Sequence, residues 1–150
     1  MDAERIIETL DEIEWLYGDK DPDACDILLS RIEAVARRQG MIHYSDLVEG
    51  VTFRISTLKQ GEPYMIDTTE WAGIDRRLLG DFLGYLSAAS FRANGFMISA
   101  LVIGKSESMP SAHFFEWMEQ LGVLPDQKED TVLAFWAGQV RDAVAYYGNH

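Results

Sequence analysis

The chain has 150 residues, 47% hydrophobic and 25% charged, which is enough for one domain with its own core. Its formal net charge of −12 argues against generic nucleic-acid binding, because Lys and Arg contacts to phosphate supply most non-specific affinity. No apolar run approaches the roughly 20 residues that cross a bilayer. The acidic N-terminus lacks the basic start of a signal peptide, and the single cysteine permits no intrachain disulfide. We therefore expect a cytoplasmic protein that does not enter a membrane.

The negative charge is concentrated in the N-terminal part of the chain. Residues 1–35 carry eleven acidic and three basic residues, a net charge of −8, whereas residues 36–60 carry two acidic and four basic residues. Such an imbalance keeps a protein soluble, and it also suits a face that binds a basic partner protein. The residues that we expect on this partner-binding face are Glu8, Asp11, Glu12, Asp19, Asp21 and Asp23.

Helical spacing predicts two helices in the first forty residues. Apolar residues recur at helical intervals over residues 2–17, and these are Ile6, Leu10, Ile13 and Tyr17. Asp21 and Pro22 form an N-cap followed by proline at the first helical position, so they begin a second helix that ends near residue 39. We expect these helices to form an acidic antiparallel pair over residues 1–40.

Two less regular segments follow. Residues 41–50 predict a short extended piece and then a short helix that is capped by Ser45. Apolar and polar residues alternate over residues 51–56, which is typical of a half-buried strand. The segment LKQGEPYMI would turn this strand back as a hairpin, and a distorted helix is the alternative.

The strongest helical pattern covers residues 74–93. Its wide apolar stripe consists of Leu78, Leu79, Phe82, Leu83 and Leu86. Gly80 and Gly84 lie inside this helix, where they weaken it but allow close backbone packing. After Asn-Gly ends the helix, a nearly all-apolar strand is expected over residues 96–103.

Two further helices complete the chain. Ser111 caps a helix that runs through Leu121. Asp126 and Glu129 resemble a capping box at the start of the last helix, which ends at Gly148. The apolar face of that helix consists of Val132, Trp136, Val140, Val144 and Tyr147. Together these elements predict a mostly helical α+β protein.

Two segments partly match ligand-binding loops. Residues 104–106 read Gly-Lys-Ser, the end of a phosphate-binding loop, but the position that needs the first glycine is Ser99. Residues 19–30 begin like a calcium loop, yet Ala24 stands where glycine makes the turn and Ser30 where a bidentate glutamate belongs. We expect neither a nucleotide site nor a calcium site.

The reactive side chains lack partners at catalytic spacing. Aspartates surround Cys25 and disfavour its thiolate. The three histidines, His43, His113 and His150, share no metal-ligand spacing, and no Gly-x-Ser-x-Gly nucleophile elbow occurs. The four tryptophans fall mostly on apolar helix faces, which favours core packing over base stacking. We therefore expect no metal, no cofactor and no enzymatic activity.

Three segments of the chain fall in an order that is typical of a known family: MIHYSDLV, RRLLGDFLGYLS and ANGFMISALVIGKSESMPSAHFF. This part, about residues 41–115, resembles the winged helix-turn-helix DNA-binding portion of alkylguanine-DNA alkyltransferases and alkyltransferase-like proteins. Tyr44 and Leu47 match the Thr-Tyr-Gly-Glu-Leu-Ala segment of that family, in which Ser-Asp here replaces Gly-Glu. The family's reactive Pro-Cys-His-Arg signature is absent, since no cysteine lies between Pro110 and His113. The resemblance implies a winged helix without alkyl transfer.

On this resemblance, a winged-helix-like centre spans residues 41–122 between the N-terminal helices and a C-terminal helix at 126–148. Residues 74–93 would be the recognition helix, and the strand at 96–103 with the turn at 104–110 would be the wing. The basic residues that would contact duplex DNA are Arg76, Arg77, Arg92 and Lys105.

Two functions remain open on the sequence. The first is a non-catalytic acidic interaction protein that binds a basic partner, as an inhibitor, an immunity protein or a DNA mimic does. The alternative is a winged-helix DNA-binding regulator. Acidic residues clustered on one exposed face would favour the first, and a continuous basic strip would favour the second. The sequence also allows a homodimer.

Overall fold

The computed structural model describes residues 2–150, and its mostly helical α+β fold confirms the expected class. The α-helices are α1 (Ala3–Asp11), α2 (Pro22–Arg37), α3 (Tyr44–Val48), α4 (Gly73–Asn94), α5 (Ala112–Leu121) and α6 (Glu129–Gly148). The strands are β1 (Ile42–His43) and β2 (Val102–Ile103), and 3-10 helices cover Lys59–Gly61 and Ile98–Leu101. β1 and β2 pair in parallel, with Ile42 opposite Val102 and His43 opposite Ile103.

The central element is α4, which confirms the helix predicted over residues 74–93. Its side chains enter two hydrophobic clusters, of which one contains residues of α2, α3 and the C-terminal end of α6. The other contains residues of α1, α5 and the N-terminal end of α6. Gly95 ends α4 in the left-handed conformation with φ 81°, as the Asn-Gly pair predicts. Gly84 allows close packing, since a Cβ there would lie 3.0 Å from the Trp15 ring, whereas nothing lies near Gly80.

The first helix ends at Asp11, so the prediction of a helix over residues 2–17 is wrong in its second half. The carboxylate of Asp81 on α4 accepts hydrogen bonds from the backbone N–H of Tyr17 at 2.8 Å and of Gly18 at 2.7 Å. Because these amides bond to α4, the chain runs across α4 as a loop instead of continuing as a helix.

The prediction that the two N-terminal helices form an antiparallel pair is also wrong. Ile6 and Leu10 of α1 are buried in the cluster that includes α5. Leu28 and Ile32 of α2 are buried in the other cluster, and α2 packs on α6. α2 itself begins as predicted, because a carboxylate oxygen of Asp21 accepts from the backbone N–H at position 24 at 3.1 Å.

The segment between β1 and α4 is mostly irregular. Ser45 lies inside α3 and does not cap it. The expected hairpin over residues 51–66 is reduced to one antiparallel bridge, in which Phe53 and Tyr64 exchange two backbone hydrogen bonds of 2.7 and 2.9 Å. The phenol of Tyr64 donates to the buried carboxylate of Asp75, whose other oxygen accepts from the backbone N–H at position 72. The start of α4 therefore holds this segment.

The apolar strand predicted over residues 96–103 is a strand only at its last two residues. Residues 96 and 97 are irregular, and the 3-10 helix at Ile98–Leu101 replaces the middle of the expected strand, where buried serines of α4 bond to its backbone. The Ser87 hydroxyl accepts from the N–H of Ser99 at 2.9 Å, and that of Ser90 accepts from the N–H at position 98 at 3.0 Å. β2 then pairs in parallel with β1, so the strand of the expected wing belongs to a parallel pair.

The last two helices match their predictions except at their starts. Gly122 ends α5 in the left-handed conformation with φ 87°, but the Ser111 side chain makes no capping hydrogen bond. A carboxylate oxygen of Asp126 accepts from the N–H of Lys128 at 2.9 Å. This turn precedes α6 and takes the place of the expected capping box with Glu129.

Candidate interaction surface

Four exposed carboxylates lie along the outer side of α1 and of the residue that caps its C-terminal end. Positions 4, 8, 11 and 12 share one side of the helix, away from the buried Ile6 and Leu10. We name as the acidic ridge the residues Glu4, Glu8, Asp11 and Glu12. Residues 4 and 12 lie about 12 Å apart along a helix axis, so Glu4, Glu8 and Glu12 recur about every 6 Å.

The acidic ridge is fixed to the rest of the molecule at its C-terminal end. Nε of Arg92, in the last turn of α4, lies 2.7 Å from a carboxylate oxygen of Asp11. Asp2 caps the other end of α1, because its carboxylate accepts from the N–H of Arg5. The helix that carries the ridge is therefore fixed by interactions at both of its ends.

The loop that follows the ridge is also held in place. We name residues 13–20 the acidic loop. Its Trp15 ring packs edge-on against Tyr85, with 5.8 Å between centroids, and its amides bond to Asp81 as described above. The ammonium group of Lys20 lies 2.9 Å from the Trp15 carbonyl oxygen. At the tip of this held loop, Leu16 is 64% exposed.

The expected partner-binding aspartates do not all lie on this surface. Asp19 is exposed and forms an ion pair with Lys20, and Asp23 is exposed in the first turn of α2. Asp21 is only 7% exposed. One of its carboxylate oxygens caps α2 and the other accepts from the N–H of Arg54 at 2.7 Å. Asp21 is therefore a structural residue, and the prediction that it lies on the partner-binding face is wrong.

The four basic residues selected for DNA binding are divided by the fold. Arg76 and Arg77 are exposed in the first two turns of α4, and neither forms an ion pair within residues 2–150. Arg92 is bound to the acidic ridge and lies about 22 Å from Arg77 along the helix axis. Lys105 is exposed in the turn after β2. The structure thus brings Arg76 and Arg77 together and separates Arg92 from them.

The reactive side chains are dispersed or buried. Burial, with Asp26 and Asp21 nearby, raises the pKa of the Cys25 thiol to about 11. His43 lies 3.3 Å from the Asp46 carboxylate, in a contact at the surface. In the part of the chain that the structure describes, no three His, Cys, Asp or Glu side chains are grouped as a metal site. No helix of residues 2–150 has the length and apolar character that a membrane crossing needs.

Comparison with models of protein families, with curated proteins and with solved structures found no match to this chain. The chemistry of its own surface is therefore the basis for assigning a function.

Two members of this surface were not selected from the sequence. Glu4 stands four residues before Glu8, so helical spacing alone could have added it to the set. The exposure of Leu16 had no such signal. A helix running to Tyr17 was expected there. The chain leaves the helix because the backbone N–H groups of Tyr17 and Gly18 donate to Asp81, more than sixty residues away.

Proposed function

We propose that the protein is a non-catalytic interaction protein that binds a basic partner protein through its acidic ridge. The observation that carries this proposal is the placement of four exposed carboxylates along one side of α1 and its C-cap residue, Glu12. Of these, only Asp11 forms an ion pair within residues 2–150. The other three carboxylates are free to meet cationic side chains, which favours rapid and selective binding of a basic surface.

The charge spacing supports a partner that otherwise binds nucleic acid. One strand of DNA carries a negative charge about every 3.4 Å along its axis. The unpaired carboxylates of the acidic ridge, Glu4, Glu8 and Glu12, recur about every 6 Å along the helix axis, close to the spacing of every second phosphate on one strand. A surface of Lys and Arg side chains arranged for a phosphate backbone would therefore find carboxylates at comparable intervals, so a DNA mimic is the form of the proposal that we favour.

An apolar contact next to the ridge strengthens the proposal. Stable interfaces combine a central apolar contact with a polar rim, because charged contacts alone contribute little at an exposed surface. Leu16 is 64% exposed on a loop that hydrogen bonds to Asp81 hold. Glu14 and Asp19 flank it on the same loop, and both are exposed. Leu16 would supply the apolar contact for the basic partner.

The proposal is tested by cross-linked capture from the source cells, followed by direct binding measurements on the captured protein. The test variant is Glu4→Gln/Glu8→Gln/Glu12→Gln. The matched control is Glu62→Gln/Glu70→Gln/Glu116→Gln, which removes the same charge from exposed positions elsewhere. We expect a basic protein that binds the wild type and the control at least roughly tenfold more tightly than the ridge variant. Equal binding by all three would reject the proposal.

A second candidate function is a winged-helix-like DNA-binding regulator, which one observation favours. Arg76 and Arg77 are exposed together at the N-terminal end of α4, the end that such helices direct into the major groove. Against it, side chains on nearly all sides of α4 are buried between residues 82 and 91, so only its first turns are open to DNA.

This second candidate is tested by the fluorescence anisotropy of labelled mixed-sequence duplex DNA at low and moderate salt. A DNA-binding regulator is expected to show salt-sensitive binding that Arg76→Ala/Arg77→Ala loses. The ridge variant Glu4→Gln/Glu8→Gln/Glu12→Gln serves as the control and should retain the binding. An anisotropy that stays flat at low salt rejects DNA binding by the isolated protein.

A further inference from the structure

The helix α6 is apolar on its outer side as well as on its inner side. Its inner side packs into the core, where Val132 is buried. Residues 131–140 read TVLAFWAGQV and carry no charge, although 25% of the whole chain is charged. A helix that is apolar all round is normally buried. Yet Leu133 is 42% exposed, and Ala134 and Ala137 are also exposed.

Residues of opposite charge lie at the two ends of this outer side. At 100° per residue, six positions of α6 fall within one stripe that points away from the core. We name as the α6 outer face the residues Asp130, Leu133, Ala134, Ala137, Gly138 and Arg141. Asp130 and Arg141 stand at its two ends, about 16 Å apart along the helix axis. The Arg141 side chain is 77% exposed.

We propose that the α6 outer face binds the same face of a second copy of this chain, with the two helices antiparallel about a two-fold axis. Each contact between the two helices then occurs twice, with the protomers exchanged. Leu133 of one protomer lies against Gly138 of its partner, and Ala134 lies against Ala137. Asp130 of each protomer meets Arg141 of the other. A two-fold interface must be self-complementary in this way.

The shape of the face suits close approach of two helices. Alanine and glycine let helix axes come to the short end of the usual range of about 8–10 Å. The space that a Cβ would fill at Gly138 is bordered on this side only by the Arg141 guanidinium, 3.6 Å away. When that exposed side chain turns towards Asp130 of its partner, Gly138 is open to receive Leu133.

The charges select the second copy and its direction. Antiparallel helices place each Asp130 opposite an Arg141, whereas parallel helices would oppose like charges. Within residues 2–150 of the single chain, the ion pair that Arg141 forms is with the neighbouring Asp142, at 3.4 Å, and such an exposed pair contributes little. A chain with net charge −12 repels its own copies, so contact is least costly where ten residues carry no charge.

The contact is small, so it predicts a reversible dimer. One pair of helices buries less than the ~1,600 Å² of a standard interface. Association is therefore expected to depend on protein concentration and to be visible by sedimentation velocity over a dilution series.

The test is a charge exchange between the two ends of the face. Asp130→Arg opposes two arginines across the two-fold axis, and Arg141→Asp opposes two aspartates. We expect each single change to weaken dimerisation by roughly tenfold or more. The double variant Asp130→Arg/Arg141→Asp restores opposite charges, so its dimerisation should return to within roughly threefold of the wild type.

Matched controls separate the pairing from a change in net charge or in folding. Glu62→Arg and Lys105→Asp alter the net charge by the same amounts at exposed positions outside α6, and both should dimerise like the wild type. Circular dichroism checks that each variant is folded. A wild type that stays monomeric at all concentrations overturns the proposal, as does a double variant that fails to recover. The ridge variant should still dimerise, so this outcome is independent of the proposed function.

Discussion

Gly18 is the residue at which the acidic loop comes closest to α4. A Cβ at this position would lie 2.6 Å from the Cβ of Tyr85 and 3.0 Å from the backbone oxygen of Asp81, so one of the two segments must shift. We expect Gly18→Ala to lower the free energy of unfolding by about 1–3 kcal/mol, the usual cost of overpacking. Urea denaturation measures this change as a lower midpoint with an unchanged slope.

The control for this prediction is the glycine in the second turn of α4. Gly80 is exposed and has no atom within 4 Å of its built Cβ. Gly80→Ala should raise the free energy of unfolding by about 0.5–1 kcal/mol, because alanine favours a helix interior. If Gly18→Ala were instead neutral, the close approach between the loop and α4 would be refuted.

Cys25 gives a second prediction at the scale of one residue. The thiol is buried, and its pKa is raised from 9.0 to about 11, so little thiolate is present at pH 8. We expect a disulfide reagent at pH 8 to modify native Cys25 at least about a hundredfold more slowly than Cys25 of the protein unfolded in urea. The thiol introduced by Ser30→Cys, on the exposed side of α2, is the control and should react at the unfolded rate. Equal rates at both positions would contradict the burial of Cys25.

The hydrogen bonds of buried serines hold one whole element, the 3-10 helix at Ile98–Leu101. The Ser87 hydroxyl accepts from the N–H of Ser99 and lies 2.6 Å from the Ser99 hydroxyl, all away from solvent. Ser87→Ala leaves that buried N–H without an acceptor, which costs about 1–3 kcal/mol of unfolding free energy. Hydrogen exchange should then show faster exchange of the Ser99 amide. The exposed substitution Ser30→Ala is the control, and an unchanged Ser99 exchange rate would exclude this role.

The sequence could predict the elements whose ends depend on neighbouring residues, but not those that depend on hydrogen bonds between distant residues. Helix ends with local signals were predictable, as at Asp21 before α2 and at the left-handed Gly95 after α4. The 3-10 helix and the end of α1 were not, because the deciding bonds join Ser99 to Ser87 and Tyr17 to Asp81. No local pattern records such long-range pairing.

The candidate site also has parts that the sequence could predict and parts that it could not. The acidic ridge follows from a period of 3.6 residues and was largely predictable. The burial of Asp21 was not, because its second oxygen bonds to the amide of Arg54, thirty-three residues later. The outer face of α6 carries a similar ambiguity, since the sequence shows that residues 131–140 are uncharged but cannot show which of them the core covers.

For the molecule as a whole, burial and charge act together to limit stability at alkaline pH. The hydrogen bond to Asp75 raises the pKa of Tyr64 from 10.0 to about 12, and burial raises that of Tyr147 to about 12 and of Cys25 to about 11. The folded state therefore holds these protons more tightly than the unfolded state. Their stabilisation is complete below pH 9 and is lost as the pH rises through 11 to 12.

We expect the melting temperature to fall steadily between pH 9 and pH 12, and Tyr64→Phe to reduce that slope because one of the three groups no longer titrates. A chain with net charge −12 gains further negative charge over this range, and the added repulsion acts in the same direction. Salt separates the two causes, because at 1 M the Debye length is about 3 Å and surface repulsion is screened. A slope that remains in 1 M NaCl and decreases in Tyr64→Phe assigns the loss to the three titrating groups, whereas a slope that salt abolishes assigns it to surface charge alone.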